Sequence, residues 1–212
     1  NPVKITIPGP MTITDSIADD YYNDPKKMGY DLALCINNEV KALSKAGCQY
    51  IQIDEPVFAR KPDETHDYGM ENLERAMHGI LKETQRACHI CCGYPNSLDS
   101  EHYKKADLDA YDKIADLVED SSIDEVSLED SHRPIDLKLL EKFKKTKVIM
   151  GLIDVAKSRM ESVEEVQERI REVLEHIDEE RLIAAPDCGL GFFDRNQAKQ
   201  KMQILSKAVK NL

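Results

Sequence analysis

The chain has 212 residues, enough for a single domain (1–212) with a sizeable core. It is 41% hydrophobic and 33% charged, as globular proteins are, and its formal net charge of −11 makes nucleic acid and anionic membranes poor partners. No apolar run approaches the ~18 residues of a membrane span, there is no signal-peptide pattern, and the six cysteines sit in apolar or strand-like contexts that fit a reduced, cytoplasmic protein better than a disulfide set.

Strand-like and helix-like segments alternate along the chain. Val3 to Ile7 alternates apolar and polar residues and ends at Pro8-Gly9-Pro10. Asp24 followed by Pro25 reads as a helix start, and the pattern runs to Ala46 with Gly47 as the stop and Leu32, Ile36, Val40 and Leu43 as the inward stripe. Tyr50 to Ile53 is a strand ended by Asp54-Glu55-Pro56, and Arg60 to Met70 reads as a long polar loop over the functional face. Glu71 to Ala87 follows as a helix, then Cys88 to Cys91 as a short strand. Tyr111 to Val118 (helix), Glu125 to Leu128 (strand), Leu137 to Phe143 (helix) and Val148 to Ile153 (strand) continue the alternation. Ser162 and Glu165 form a capping box that opens a helix to about His176. Leu182 to Ala185 is the last strand and Arg195 to Val209 the last helix.

Strict alternation predicts parallel strands with right-handed crossovers. No glycine-rich phosphate loop follows a strand, which disfavours a nucleotide-binding sheet. Polar residues at strand ends favour a (β/α)₈ TIM barrel, with six strands visible of the eight that close one.

Those strand ends carry the chemistry. His89 and Cys91, two apart, point to one face of a strand. Glu129 ends the next strand, and Cys188 follows the last. Two thiolates, one imidazole and one carboxylate suit tetrahedral Zn²⁺. Cys92 points the other way, into the core. Asp54 and Glu55 end the cleanest strand and are candidates for gripping an ammonium group or a metal, with a turn or cap as the plainer role. His66, His78, His102, His132 and His176 lie in polar stretches and read as surface residues. Thiolate-rich zinc deprotonates a bound thiol yet leaves it nucleophilic, so this ligand set favours alkyl transfer to sulfur over hydrolysis.

In order and spacing, Gly9-Pro10-Met11-Thr12, Ile51-Gln52-Ile53-Asp54-Glu55-Pro56, His89-Ile90-Cys91, Val126-Ser127-Leu128-Glu129, Gly151-Leu152-Ile153-Asp154-Val155 and Pro186-Asp187-Cys188-Gly189-Leu190 resemble the catalytic barrel of the cobalamin-independent methionine synthase family, over nearly the whole chain. The resemblance implies a barrel of which this chain covers strands 3 to 8, the first strands lying upstream of Asn1, and hence an open sheet edge suited to pairing, so a homo-oligomer is among the expected partners. It implies zinc on His89, Cys91, Glu129 and Cys188, and the homocysteine amino group on Asp54. Beside these, Glu55 is a candidate substrate-binding residue and Asp154 a candidate catalytic residue, each supporting the site or the substrate. The implied activity is a methyltransferase that moves a methyl group from methyl-tetrahydrofolate, or from a methyl-corrinoid, to homocysteine to give methionine.

Three positions depart from the family pattern, all on the donor side: Ser16 stands where the family has a folate-binding Trp, Arg60 where it has a folate-contacting Glu, and Ala156, followed by Lys157, where it has a catalytic His. The alternatives are a zinc alkyltransferase for another thiol, resembling the epoxyalkane:coenzyme M transferases, and a non-catalytic zinc-binding remnant.

Overall fold

The computed structural model describes residues 2–100, 103–107 and 109–212. Six parallel strands, β1 (Lys4–Pro8), β2 (Tyr50–Asp54), β3 (Gln85–Ile90), β4 (Glu125–Leu128), β5 (Lys147–Ile153) and β6 (Leu182–Pro186), pair in chain order from edge to edge. A doubly wound sheet reverses its strand order at a switch point; this one never does, so it winds in one direction as a barrel wall does. The architecture is an α/β partial TIM barrel, six strands of an eight-strand ring. Among the described residues, no helix is long and apolar enough to cross a membrane.

The two faces of the sheet differ in character. Ile51, Ile53, Cys88, Ile90, Val126, Leu128, Val148 and Met150 are buried under the helices and form the main core. The alternate residues line the concave face, and the register sets Asp54, His89, Ser127 and Ile149 in one row across β2 to β5. That row lines one trough on the concave face.

The helices are α1 (Pro10–Ser16), α2 (Pro25–Lys45), α3 (Val57–Arg60), α4 (Pro62–Glu64), α5 (Met70–Met77), α6 (Ala110–Asp120), α7 (Val163–Leu174) and α8 (Arg195–Lys210). The Asp24 side chain caps α2 by accepting from the Lys26 and Lys27 N–H groups, and Gly47, at φ +90°, stops it. The buried stripe of α2 is Met28, Ala33, Ile36, Asn37, Val40 and Ser44, while Leu32 and Leu43 are half-buried flanks. Polar Asn37 and Ser44 face inward because each has a buried partner: Asn37 donates to the Ala76 and His78 carbonyls, and Ser44 bonds Thr84 at 2.8 Å. The Ser162–Glu165 capping box of α7 forms as its spacing predicts.

Three expectations change. The helix expected over Glu71 to Ala87 is two elements: α5 ends at Met77, Gly79 turns the chain at φ +72°, and residues 85–90 join the sheet because Gln85 pairs with Tyr50. The segment expected as a loop over Arg60 to Met70 is folded into α4 and a π-helical turn (Thr65–Gly69). Its Gly69 lies against Met11 and Phe58, so the segment belongs to the helical layer rather than to the functional face. Pro8-Gly9-Pro10 does not merely end a strand; Pro10 starts α1, whose free Met11 and Thr12 N–H groups donate to Glu55 at 3.0 and 2.9 Å.

Two buried polar contacts hold the far side of the sheet. Fully buried Lys201 of α8 pairs with Glu161 at 3.0 Å and donates to the Arg159 carbonyl, and Glu161 accepts the Asp154 N–H at the end of β5. The Asp187 carboxylate, beyond β6, accepts the N–H groups of Asp130, Ser131 and His132, beyond β4. It crosses β5 at Gly151, where a Cβ would overlap it.

Substitution of Lys201 by Met strands a buried carboxylate and is expected to cost about 3–5 kcal/mol in urea unfolding, most of it recovered by adding Glu161→Leu. Gly151→Ala is expected to cost about 1–3 kcal/mol by the same measurement. Gly189→Ala, where nothing lies within 4 Å of the new methyl, should stay within about 0.5 kcal/mol of the parent.

Candidate metal centre

The Asp187 contact decides where Cys188 goes, because it pins the preceding residue to the end of β4. His89 ends β3 on the concave face, and Cys91 follows two residues on. The ligand atoms of His89, Cys91 and Cys188 lie within 4.8 Å of one another, so residues 99 positions apart in the chain converge on one point. All six cysteines are free thiols, and Cys92 packs in the core as its opposite direction implies.

His89 is buried, and its Nδ1 lies 2.9 Å from Ser127 Oγ, the neighbouring residue in the register row. With Nδ1 donating to Ser127, Nε2 presents a lone pair; that atom is buried and has no hydrogen-bond partner. An orphaned imidazole nitrogen beside two sulfurs fits a soft cation. The electrostatics agree. The Cys91 thiol and His89 beside Cys188 hold its thiol well below the ordinary range, while Cys188 and burial push Cys91 up.

Glu129 is buried beside the triad but outside it: its Oε2 accepts the Cys92 N–H at 3.0 Å, and burial raises its carboxyl to about 7. Asp54 is half-buried in a trough of about 460 Å³ on the concave face, which also reaches Thr6, Gln52, His89, Ser127 and Cys188. Its Oδ1 accepts from Gln52 Nε2 at 2.7 Å, and burial raises its pKa. Glu55 is fully buried and faces the start of α1, its oxygens taken by Met11, Thr12 and the Thr12 hydroxyl; burial raises it to about 7. The structure thus gives Glu55 a supporting place, tying β2 to α1, rather than an open one. Asp154 ends β5 with Oδ1 on the Ala156 N–H and Oδ2 3.2 Å from His132 Nδ1.

His132 corrects an expectation. It is not a surface residue: its side chain is only 17% exposed, paired with Asp154 and tilted at 31° against Tyr103 with ring centroids 5.6 Å apart. Of the other histidines on the same expectation, His66 bonds the Lys113 carbonyl, His176 pairs with Glu141 and His78 is exposed, while His102 lies outside the described residues.

Two tyrosines also went unread in the sequence. Tyr111 of α6 donates to the Ile90 carbonyl and accepts the Glu129 N–H, which sets the ends of β3 and β4 side by side. Tyr94 donates to the Gly189 carbonyl and stacks on Phe192 at 5.1 Å, which joins the loop after Cys91 to the loop after Cys188. Neither sits in a motif. Tyr94 offered the signal of an aromatic residue close after a ligand; Tyr111, at the start of the expected helix, offered none.

The family described as "Cobalamin-independent synthase, Catalytic domain" matches residues 1–211. Curated methionine synthases of Thermococcus kodakarensis and Pyrococcus horikoshii are 36% and 34% identical over 208 residues, 98% of this chain. The chain spans 56% of the length of each, a little over half. A B12-independent methionine synthase from Shewanella sp. W3-18-1, solved with selenomethionine, superposes with a TM-score of 0.89 at 34% identity, over 99% of this chain and 62% of that one. A methyltransferase from Methanosarcina mazei, at 17% identity and a TM-score of 0.68, shares the fold. On the match over residues 1–211 and these relatives, the chain belongs to the catalytic-domain family of the cobalamin-independent methionine synthases.

Proposed function

We propose that the protein is a zinc-dependent methyltransferase that makes methionine by methylating the thiol of homocysteine, with methyl-tetrahydrofolate or a methyl-corrinoid as the donor. The observation that carries the reading is the convergence of His89, Cys91 and Cys188 around a buried, unpartnered imidazole nitrogen at the carboxyl ends of the strands. His89, Cys91 and Cys188 would hold the zinc, and Glu129, buried beside them, would complete the set. Zinc in such a site supplies the charge that lets a bound thiol lose its proton near neutral pH and remain nucleophilic.

The chain's own residues do the rest. Asp54 faces the trough from the row that holds His89, so its carboxylate takes the substrate ammonium while the sulfur lies toward Cys188. Ser127 orients the His89 ring, and Tyr111 and Asp187 fix the strand ends that carry Glu129 and Cys188. The sulfur then attacks the methyl carbon in line: an S–C bond forms, and the bond from methyl to donor breaks with its electron pair staying on the donor. The selenomethionine bound to the Shewanella relative is the selenium analogue of the product assigned here. Ser16, Arg60 and Ala156, which differ from the family's donor-side pattern, favour a donor or pose other than the family's usual folate mode. The free thiols suit a reducing, cytoplasmic setting.

The test is methyl transfer by the full natural chain, with methyl-tetrahydrofolate and methylcobalamin as donors and homocysteine and coenzyme M as acceptors. Methionine should form from at least one donor; none from either overturns the reading, and product from coenzyme M alone replaces it. Cys188→Ser should abolish stoichiometric zinc, measured by elemental analysis. Ser127→Ala should weaken zinc by about 10–100-fold in chelator competition, because it frees the His89 ring.

A further inference from the structure

The His132–Asp154 pair is the arrangement near the metal centre for which the proposed function has no use. His132 Nδ1 faces Asp154 Oδ2 at 3.2 Å, and both side chains are 17% exposed. Both lie at the carboxyl ends of their strands, the end that bears the triad. The backbone N–H of His132 bonds Asp187, the residue before Cys188.

The pair is held from several sides. Asp154 Oδ1 accepts the Ala156 N–H at 2.6 Å, and its own N–H is held by Glu161, which is locked by buried Lys201. The imidazole lies against Tyr103 at a tilt of 31°, and the His132 backbone N–H on Asp187 sets it one residue from Cys188 along that chain. A carboxylate that accepts from Nδ1 fixes the tautomer and leaves Nε2 bare and basic. Among the described residues, Nε2 has no hydrogen-bond partner, and the partial exposure of the ring leaves it open to substrate or a water.

Every methyl transfer to a thiol must dispose of the thiol's proton, whatever the donor. We propose that His132 is the base that receives it, directly or through one water, with Asp154 as the positioning residue that orients the ring and stabilises the imidazolium. The balance is simple: the S–H bond breaks, its electron pair stays on sulfur for the methyl carbon, and the proton moves to His132 Nε2 and then to solvent or to the departing donor. This rests on the thiol-methyltransferase reading above. The titratable groups against the ring are Asp154 and Tyr103; Asp187 holds the His132 backbone N–H, Lys105 lies over the Tyr103 ring at 4.8 Å, and Arg133 turns to the Ala106 carbonyl.

Three variants of the full chain test it: His132→Gln, His132→Ala and Asp154→Asn, each checked for unchanged zinc content and homocysteine affinity. In a pH-indicator titration with homocysteine and no donor, the parent should release clearly less than one proton per site near pH 6.5, because His132 keeps it; His132→Gln should release about one. In turnover, His132→Gln should lower kcat/KM about 10²-fold near pH 6.5, and the deficit should close toward pH ~9 as hydroxide takes over. Imidazole should partly restore His132→Ala. Asp154→Asn, which removes the acceptor that orients the ring, should lower kcat and change the shape of the acid limb while zinc content and homocysteine affinity stay unchanged.

Proton release and a pH profile equal to the parent's in His132→Gln, with methionine still formed, overturn this inference alone. Loss of zinc in the His132 or Asp154 variants overturns it in favour of a structural role. A parent protein that makes no methionine overturns the proposed function and this inference with it.

Discussion

The metal centre depends on one carboxylate that never touches a ligand position. Asp187 accepts three consecutive N–H groups, those of Asp130, Ser131 and His132, and so ties the segment beyond β6 to the segment beyond β4. Cys188 lies two residues beyond β6, an edge strand whose residues are all partly exposed, so the strand itself does little to fix it. With the Asp187 contact, the sulfur of Cys188 is delivered to Cys91 across the end of β5. The crossing requires a residue without a side chain, and Gly151 provides it. One clasp thus positions Cys188, shapes the strand-end rim, and holds the backbone of His132.

The second constraint is charge. Glu129, Cys91, Cys188, Asp187 and Asp154 crowd one end of the sheet, and the cations near them, Arg133 and Lys105, engage the Ala106 carbonyl and the Tyr103 ring rather than the triad. Burial raises Glu129 to about 7 and pushes Asp187 up as well, as happens when acidic groups lose water without gaining a countercharge. Only Cys188, supported by the Cys91 thiol and His89, is driven toward its anion. A pocket of this kind could hold a positive charge, and its sulfur and imidazole donors suit a soft one.

Much of this was legible before any coordinates. Alternation and capping signals locate most elements: Asp24-Pro25 and Ser162–Glu165 start helices where expected, Glu125 to Leu128 is a strand with those bounds, and strand-end polar residues mark the working rim. The errors have a common cause. Gln85 to Ala87 continues a helical pattern locally, and only pairing with β2 makes it strand. Arg60 to Met70 is polar enough for a loop, yet packing of Thr65, Tyr68 and Gly69 folds it into the helical layer. Glu55 follows a strand end as Asp54 does, but alternation turns it to the opposite side, into the start of α1.

The amino-acid sequence by itself determined most of the elements, the parallel winding and the candidate donor atoms, because periodicity, caps and ligand chemistry are local properties. Tertiary structure alone decided which atoms meet. It brought Cys188 within reach of Cys91 but left Glu129 on the Cys92 N–H. It took His132 from an apparently solvated stretch and set it against Asp154. Such meetings follow from strand register and from contacts between residues tens of positions apart, and no window of sequence contains both halves of them.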